Sequence, residues 1–192
     1  MNTEEQIRLI NNTISKTKES IRPLGFNFIF WGFLIIIMSL IHFLFPEVIQ
    51  YFENSAFLYW TIFPLLGVCY TSYYNFRASK KVGYETYLGR AIKILWGVFI
   101  FSWCILMVTS FVSQSGAYSM IQNVIILLGG AVLATGLIIR SKPVALGGVS
   151  VFILYILTYI ITDLNIFIFN ILALVFGCLI PGFSLYYNKK NE

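Results

Sequence analysis

The chain has 192 residues, of which 58% are hydrophobic, 18% aromatic and only 11% charged. Soluble domains carry about 25% charged residues, so this composition excludes an ordinary water-soluble domain and places the chain in the membrane class. A net charge of +5 would raise nucleic acid as a partner for a soluble protein; here the charges flank apolar runs, which excludes that partner.

The first 23 residues, MNTEEQIRLINNTISKTKESIRP, read as one amphipathic cytoplasmic helix. Thr3 and Gln6 fit a capping box, and Glu4 and Glu5 suit the positive end of the helix dipole. Ile7, Ile10, Ile14 and Ile21 share one stripe at helical period, and Pro23 with Gly25 is expected to close the helix. The stripe suits either the inner leaflet and the underside of a bundle, or a narrow seam with a partner or second copy. No short basic start and no cleavage site precede the first apolar run, which is therefore expected to be retained.

Six apolar runs follow, at about 25–45, 56–76, 94–112, 119–139, 144–162 and 165–186. Each has close to the 20 or so residues that a helix needs to cross a bilayer, and none contains Lys, Arg, Asp or Glu. Lipid satisfies no backbone group, so each is expected to be helical, and the alternation of a β-barrel is absent. Span one carries Asn27, Trp31 and, late, His42; a pH-sensitive contact of His42 with Glu47 or Asp163 is one reading, a satisfied interfacial histidine the other. Pro64 interrupts span two and Pro181 span six. Pro64 lies nearer mid-membrane and is the better candidate for gating, against the plainer reading of a kink. Asn123 in span four and Asn170 in span six are expected in the outer half, where they could line one cavity; single amides in spans more often tie helices together.

The connections carry the topology. All thirteen Lys and Arg fall in the N-terminal segment, between spans two and three, in the turn between spans four and five, or in the tail 188–192. The other three connections hold only Glu47, Glu53 and Asp163. The positive-inside rule makes the basic side cytoplasmic, with both termini inside. Arg77, Lys80, Lys81, Arg140 and Lys142 are the expected inner-surface anchors. The cluster between Arg77 and Lys93 either meets anionic lipid heads or an acidic partner, or simply obeys the topology rule. Trp31, Trp96, Tyr73, Tyr74, Tyr186 and Tyr187 fit the inner aromatic belt; Tyr51, Tyr59, Trp60 and Tyr118 fit the outer one.

Between spans four and five stands GLIIRSKPVALGGV. It has no GxxxxGK[ST] pattern, so it reads as a tight hairpin with Pro143 in the first turn of span five. Gly129, Gly130, Ala134 and Gly136 on one side, with Gly147 and Gly148 on the other, are the small residues expected to let the two backbones approach.

No HExxH, GxSxG or triad spacing appears, and Cys69, Cys104 and Cys178 have no metal-ligand spacing. No catalytic, cofactor or metal residue is therefore expected. Intramembrane relays use ionisable groups at depth, and His42 is the one candidate in the runs.

The stretches FNFIFWGFLIIIMSLIHF, TGLIIRSKPVALGGVSVFIL and FGCLIPGFSLYY are similar to a family of small six-span inner-membrane proteins of Bacteroidetes-type bacteria. The shared marks are the amphipathic start, the Trp-Gly opening of span one, the corner of Arg140, Pro143, Gly147 and Gly148, and Pro181-Gly182. The resemblance covers about half the chain and implies an integral bacterial inner-membrane protein; it brings no activity and no catalytic residues.

The expectation is an all-α polytopic membrane protein. Residues 1–23 form the amphipathic helix, 24–187 a domain of six transmembrane helices in three hairpins, and 188–192 the tail. Its expected partners are the bilayer and a protein partner or homo-oligomer, not nucleic acid. The expected function is non-enzymatic association, as a regulatory or scaffold subunit. The alternative is a small transporter or channel for a weakly charged or hydrophobic solute.

Overall fold

The structure, a computed structural model, describes residues 3–52, 54–82, 87–113 and 117–187. The side chains of Ile7, Ile10, Ile14, Ile21, Lys81 and Tyr118, and the residues Glu53 and 188–192, lie outside what is described. Every element among the described residues is helical: α1 (Thr3–Leu44), α2 (Pro46–Ile49), α3 (Ser55–Val82), α4 (Tyr87–Ser113), α5 (Ala117–Ile138), α6 (Lys142–Ile160), α7 (Ile166–Leu174), a π-helical segment (Val175–Leu179) and α8 (Ile180–Tyr187).

Among the described residues, five helices are long and apolar enough to cross a membrane: Pro23–Leu44, Tyr87–Ser113, Ser119–Ile138, Lys142–Ile160 and Ile166–Tyr187. Helix α3, which holds expected span two, is not among them. Its Tyr59, Trp60, Thr61, Pro64, Tyr70, Thr71, Ser72, Tyr73 and Tyr74 dilute the aliphatic residues. The end of the bundle where α1 stops and α7 starts is called distal below, and the end holding Tyr187 proximal.

The expected break at Pro23 and Gly25 does not occur. Helix α1 runs through both for 42 residues, about 63 Å at 1.5 Å per residue, or twice the bilayer core. A proline removes one hydrogen bond from the preceding turn and can bend a helix without ending it. Gly25 is enclosed by the last span: a Cβ there would meet Leu185 Cβ at 3.4 Å.

Two apolar clusters make the core. The distal one gathers Ile121, Ile125, Val151, Leu154, Ile166, Phe167, Phe169 and Ala173. The proximal one gathers Leu24, Phe28, Leu128, Val132, Val144, Leu174 and Cys178. The widest contact is between α5 and α6; α1 packs on α8 and α7 more extensively than on α3. Thus the first span leans chiefly on the last rather than on α3.

The small residues named from the sequence divide in their roles. A Cβ on Gly136 would collide with the backbone of Ala145, and one on Gly148 would lie 2.6 Å from Leu133 Cα. These two seat α5 against α6 backbone to backbone. Gly147 serves the last span instead: a Cβ there would lie 2.6 Å from the Phe176 carbonyl and 2.7 Å from Pro181 Cγ. Gly129 meets the Phe152 and Val151 side chains at 3.3 Å, Gly130 only Phe152 Cζ at 4.0 Å, and Ala134 is half-buried.

Pro181 neither ends nor breaks the last helix. Two residues before it the helix widens, and Ile180 N–H donates to the carbonyl of Val175, five residues back. The wider turn relieves the clash of the proline ring with the carbonyl four residues earlier. Gly147, with only hydrogens on its Cα, lets the Phe176 carbonyl approach, a geometry open to a Cα–H···O contact.

The α5–α6 corner is a tight turn. Ser141 N–H donates to Gly136 O at 2.9 Å and Arg140 N–H to Leu137 O at 3.3 Å, with Arg140 at φ 55°. This is the Schellman arrangement, in which glycine ordinarily takes the left-handed residue because other L-residues are strained there. Replacing Arg140 by Gly should raise stability to thermal unfolding in detergent, by up to about 1 kcal/mol once the greater freedom of unfolded glycine is subtracted. A loss of stability would mean that the arginine side chain holds the turn.

Candidate functional site

The described polar groups buried in the spans gather mainly in the distal half. On α1, Ser39 and His42 are three residues apart and so share a face. Asn170 reaches Ser39 from α7, its Nδ2 donating to Ser39 Oγ at 2.9 Å. From α3, Trp60 Nε1–H donates to His42 Nδ1 at 2.9 Å. A ring nitrogen that accepts carries no proton, so neutral His42 holds its proton on Nε2. That nitrogen lies 3.4 Å from the Gln50 side-chain amide, which offers it an acceptor once its oxygen is turned inward.

Rings enclose the imidazole. Phe167 lies 4.4 Å from it, centroid to centroid, and Trp60 is stacked on Phe167 at 6.2 Å and 13°. His42 is 3% exposed. Tyr59 O–H donates to the Met38 carbonyl at 3.0 Å, a second tie between α3 and α1. Across the cluster, Gln122 Nε2 donates to Thr158 Oγ1 at 2.9 Å, joining α5 to α6. The distal rim is closed by α2, whose Ile49 is buried and whose carbonyl accepts from Ser55 Oγ at 2.6 Å. Asn165 caps α7 by accepting from Phe167 N–H at 3.0 Å.

This arrangement ties helices together. Ser39 accepts from Asn170, and His42 Nδ1 is occupied by Trp60. No hydrogen bond joins Ser39 to His42 among the described residues, so no nucleophile–base pair is formed. No three His, Cys, Asp or Glu gather as a metal-binding group among the described residues.

Of the two readings of His42, one set it as a satisfied interfacial histidine and the other in contact with Glu47 or Asp163. Both carboxylates are exposed, and among the described residues neither forms an ion pair with it. Its partner is an indole instead. Asn170 is buried in the cluster, whereas Asn123 is exposed on α5, and Gln122 takes the buried place beside it. Pro64 is buried in an unbroken α3, one turn beyond Trp60, and the neighbouring Thr61 Oγ1 is buried without a partner. Ser39, Gln122 and Thr158 had no place in the sequence reading, and Trp60 entered it only as part of the outer aromatic belt. The i, i+3 spacing of Ser39 and His42 was the one signal that could have joined one of them to the histidine.

At the proximal end Asn27 Nδ2 donates to Asn75 Oδ1 at 3.1 Å, tying α1 to α3, while Asn27 Oδ1 is buried without a partner. Trp96 Nε1 is likewise buried without a hydrogen-bonding partner, its ring edge-on to Phe28 at 5.5 Å and 88°. Of the expected anchors, Arg77, Lys80, Arg140 and Lys142 are exposed. Cys69, Cys104 and Cys178 are free thiols, the last one buried.

No protein family, curated protein or solved structure was found to match this chain.

Proposed function

We propose that this chain is a non-enzymatic integral inner-membrane protein that acts by association, as a regulatory or scaffold subunit or by pairing with a second copy. The proposal includes six spans, with α3 crossing as well, and both termini in the cytoplasm. Length supports that crossing: α3 has 28 residues, about 42 Å of helix against a core of about 30 Å. Charge supports it too. With α3 crossing, all thirteen Lys and Arg lie on one side; without it, the N-terminal four face the other nine across the membrane.

The observation that carries the association is α4. Only 6% of its most apolar window is buried, against 33% to 56% for the other four apolar spans. Met107 is its one buried residue, and Gly97 has nothing within 4 Å of where a Cβ would stand. The other spans are held by buried polar ties or backbone approach, so α4 has the largest surface left to offer a partner within the bilayer. The transporter reading has less support, because the distal polar groups are engaged with one another.

Crosslinking in native membranes, followed by purification in mild detergent, should give a defined oligomer or a co-purifying protein. Gly97→Leu should leave monomer stability unchanged or slightly raised, since it enters open space and improves helix propensity by up to about 1 kcal/mol. It should reduce the crosslinked product several-fold. Monomer alone, with no partner at native expression, would remove the basis of the proposal.

A further inference from the structure

The α3–α4 region pairs basic helix ends with exposed apolar stripes, and the stripe of α3 is one that the association reading leaves unused. On α3, Arg77 and Lys80 are exposed three residues apart, so they stand on one side of the helix. Below Arg77 on the same side run Tyr73, Tyr70, Leu66 and Ile62, all exposed. Helix α4 repeats the pattern from its own proximal end. Arg90 and Lys93 are exposed, and Ile94, Val98, Phe101 and Ile105 continue the exposed face into the span. Each helix therefore bears a basic end above an apolar stripe.

The chain joins the two ends directly. Four residues separate Val82 from Tyr87, so their Cα atoms are at most about 18 Å apart. Among the described residues contact between the two helices is slight, and the aromatic pair that joins them, Phe57 with Phe111 at 4.8 Å, is at the distal end. At the proximal end Lys80 Nζ lies 4.6 Å from the centroid of the Phe76 ring, which keeps the ammonium at the level of the aromatic belt.

We infer that the proximal ends of α3 and α4 form a binding site for an anionic glycerophospholipid of the cytoplasmic leaflet. The phosphate meets Arg77, Lys80 and Arg90, and the acyl chains lie along the exposed stripe of α3. Charge complementarity selects this occupant: the site is basic where the headgroup sits and apolar where the chains run. A zwitterionic lipid offers the same chains without the net charge. The inference rests on the topology proposed above, which puts these ends at the inner surface.

The test uses the full chain purified in mild detergent from membranes of phosphatidylglycerol and phosphatidylethanolamine, with bound lipid extracted and quantified by mass spectrometry. Phosphatidylglycerol should be enriched over its bilayer ratio. The triple variant Arg77→Gln, Lys80→Gln, Arg90→Gln should hold it at least about tenfold more weakly. A control variant, Arg140→Gln with Lys142→Gln, removes two charges expected on the same side and should retain the lipid. Lipid at the bilayer ratio in the wild type, or equal loss in triple variant and control, overturns the site. A parallel arm tests the topology by labelling Lys80→Cys with an impermeant maleimide, in a background lacking Cys69, Cys104 and Cys178. Labelling from the outer side sinks the topology and the site with it. Labelling only from the inner side, together with no enrichment, sinks the lipid site alone.

Discussion

Gly148→Leu should abolish the folded bundle, and Gly130→Leu should leave it nearly intact. The two glycines were grouped by sequence as small residues of one hairpin, and the geometry separates them. At Gly148 an added Cβ would stand 2.6 Å from Leu133 Cα, closer than real Cβ contacts come. Backbone cannot rotate away as a side chain does, so α5 and α6 must move apart. Their interface is the widest in the structure and has no hydrophobic drive of its own in lipid; its stability comes from close van der Waals contact. Overpacking in a core costs about 1–3 kcal/mol when side chains can adjust, and more when backbone is the obstacle. A loss above about 3 kcal/mol is expected at Gly148, seen as failure to recover monodisperse protein. At Gly130 the nearest atom is Phe152 Cζ at 4.0 Å, and the expected change is under about 1 kcal/mol. Equal stability of the two variants by thermal unfolding in detergent would show that the α5–α6 approach is looser than the geometry requires.

The contrast marks what sequence could show about this fold. Apolar runs and their lengths identified helices, because an apolar stretch of that length has few other ways to satisfy its backbone in lipid. They did not give helix phase. In water, the polar face of a helix marks the side turned from the core; in a bilayer both sides are apolar, and the pattern fades. Asn123 and Gln122 illustrate the cost: adjacent amides on α5, one exposed and one bonded to Thr158, with little local sequence signal to say which. The run Ile121, Ile125, Leu128 and Val132 forms the buried stripe, but exposed Ile126 and Leu137 are just as apolar. Helix ends were misread for a related reason. Pro23 resembles a stop signal, yet α1 continues through it; Pro181 resembles a kink, and the turn Val175–Leu179 absorbs it. At the candidate site, His42 was legible as the lone ionisable group of the runs. Its partner was not, because the Trp60 indole comes from another helix and tryptophan near a span end already has an explanation in the interfacial belt.

His42→Leu should weaken the attachment of α3 by about 1–2 kcal/mol, and His42→Asn should restore most of it. The indole N–H of Trp60 has His42 Nδ1 as its acceptor, and both groups sit against Phe167, which offers the N–H no other acceptor. Leucine fills the volume and leaves the donor unpaired. Asparagine places its amide oxygen close to where Nδ1 stands, so the acceptor survives without the ring. Interhelical hydrogen bonds in membranes average about 0.6 kcal/mol and reach about 1.7; burial among aromatic rings puts this one toward the upper figure. Trp60→Phe removes the donor and strands the imidazole nitrogen at a similar cost. The double variant His42→Leu, Trp60→Phe should then be less destabilised than the two singles added together, by about 1 kcal/mol in a thermodynamic cycle of detergent unfolding. Additive singles would mean that the 2.9 Å contact carries no energy of its own. A non-additive cycle, with asparagine rescuing, would assign histidine its role at this position. It is the neutral acceptor that ties α3 to α1, and through Phe167 the same ring packs against α7.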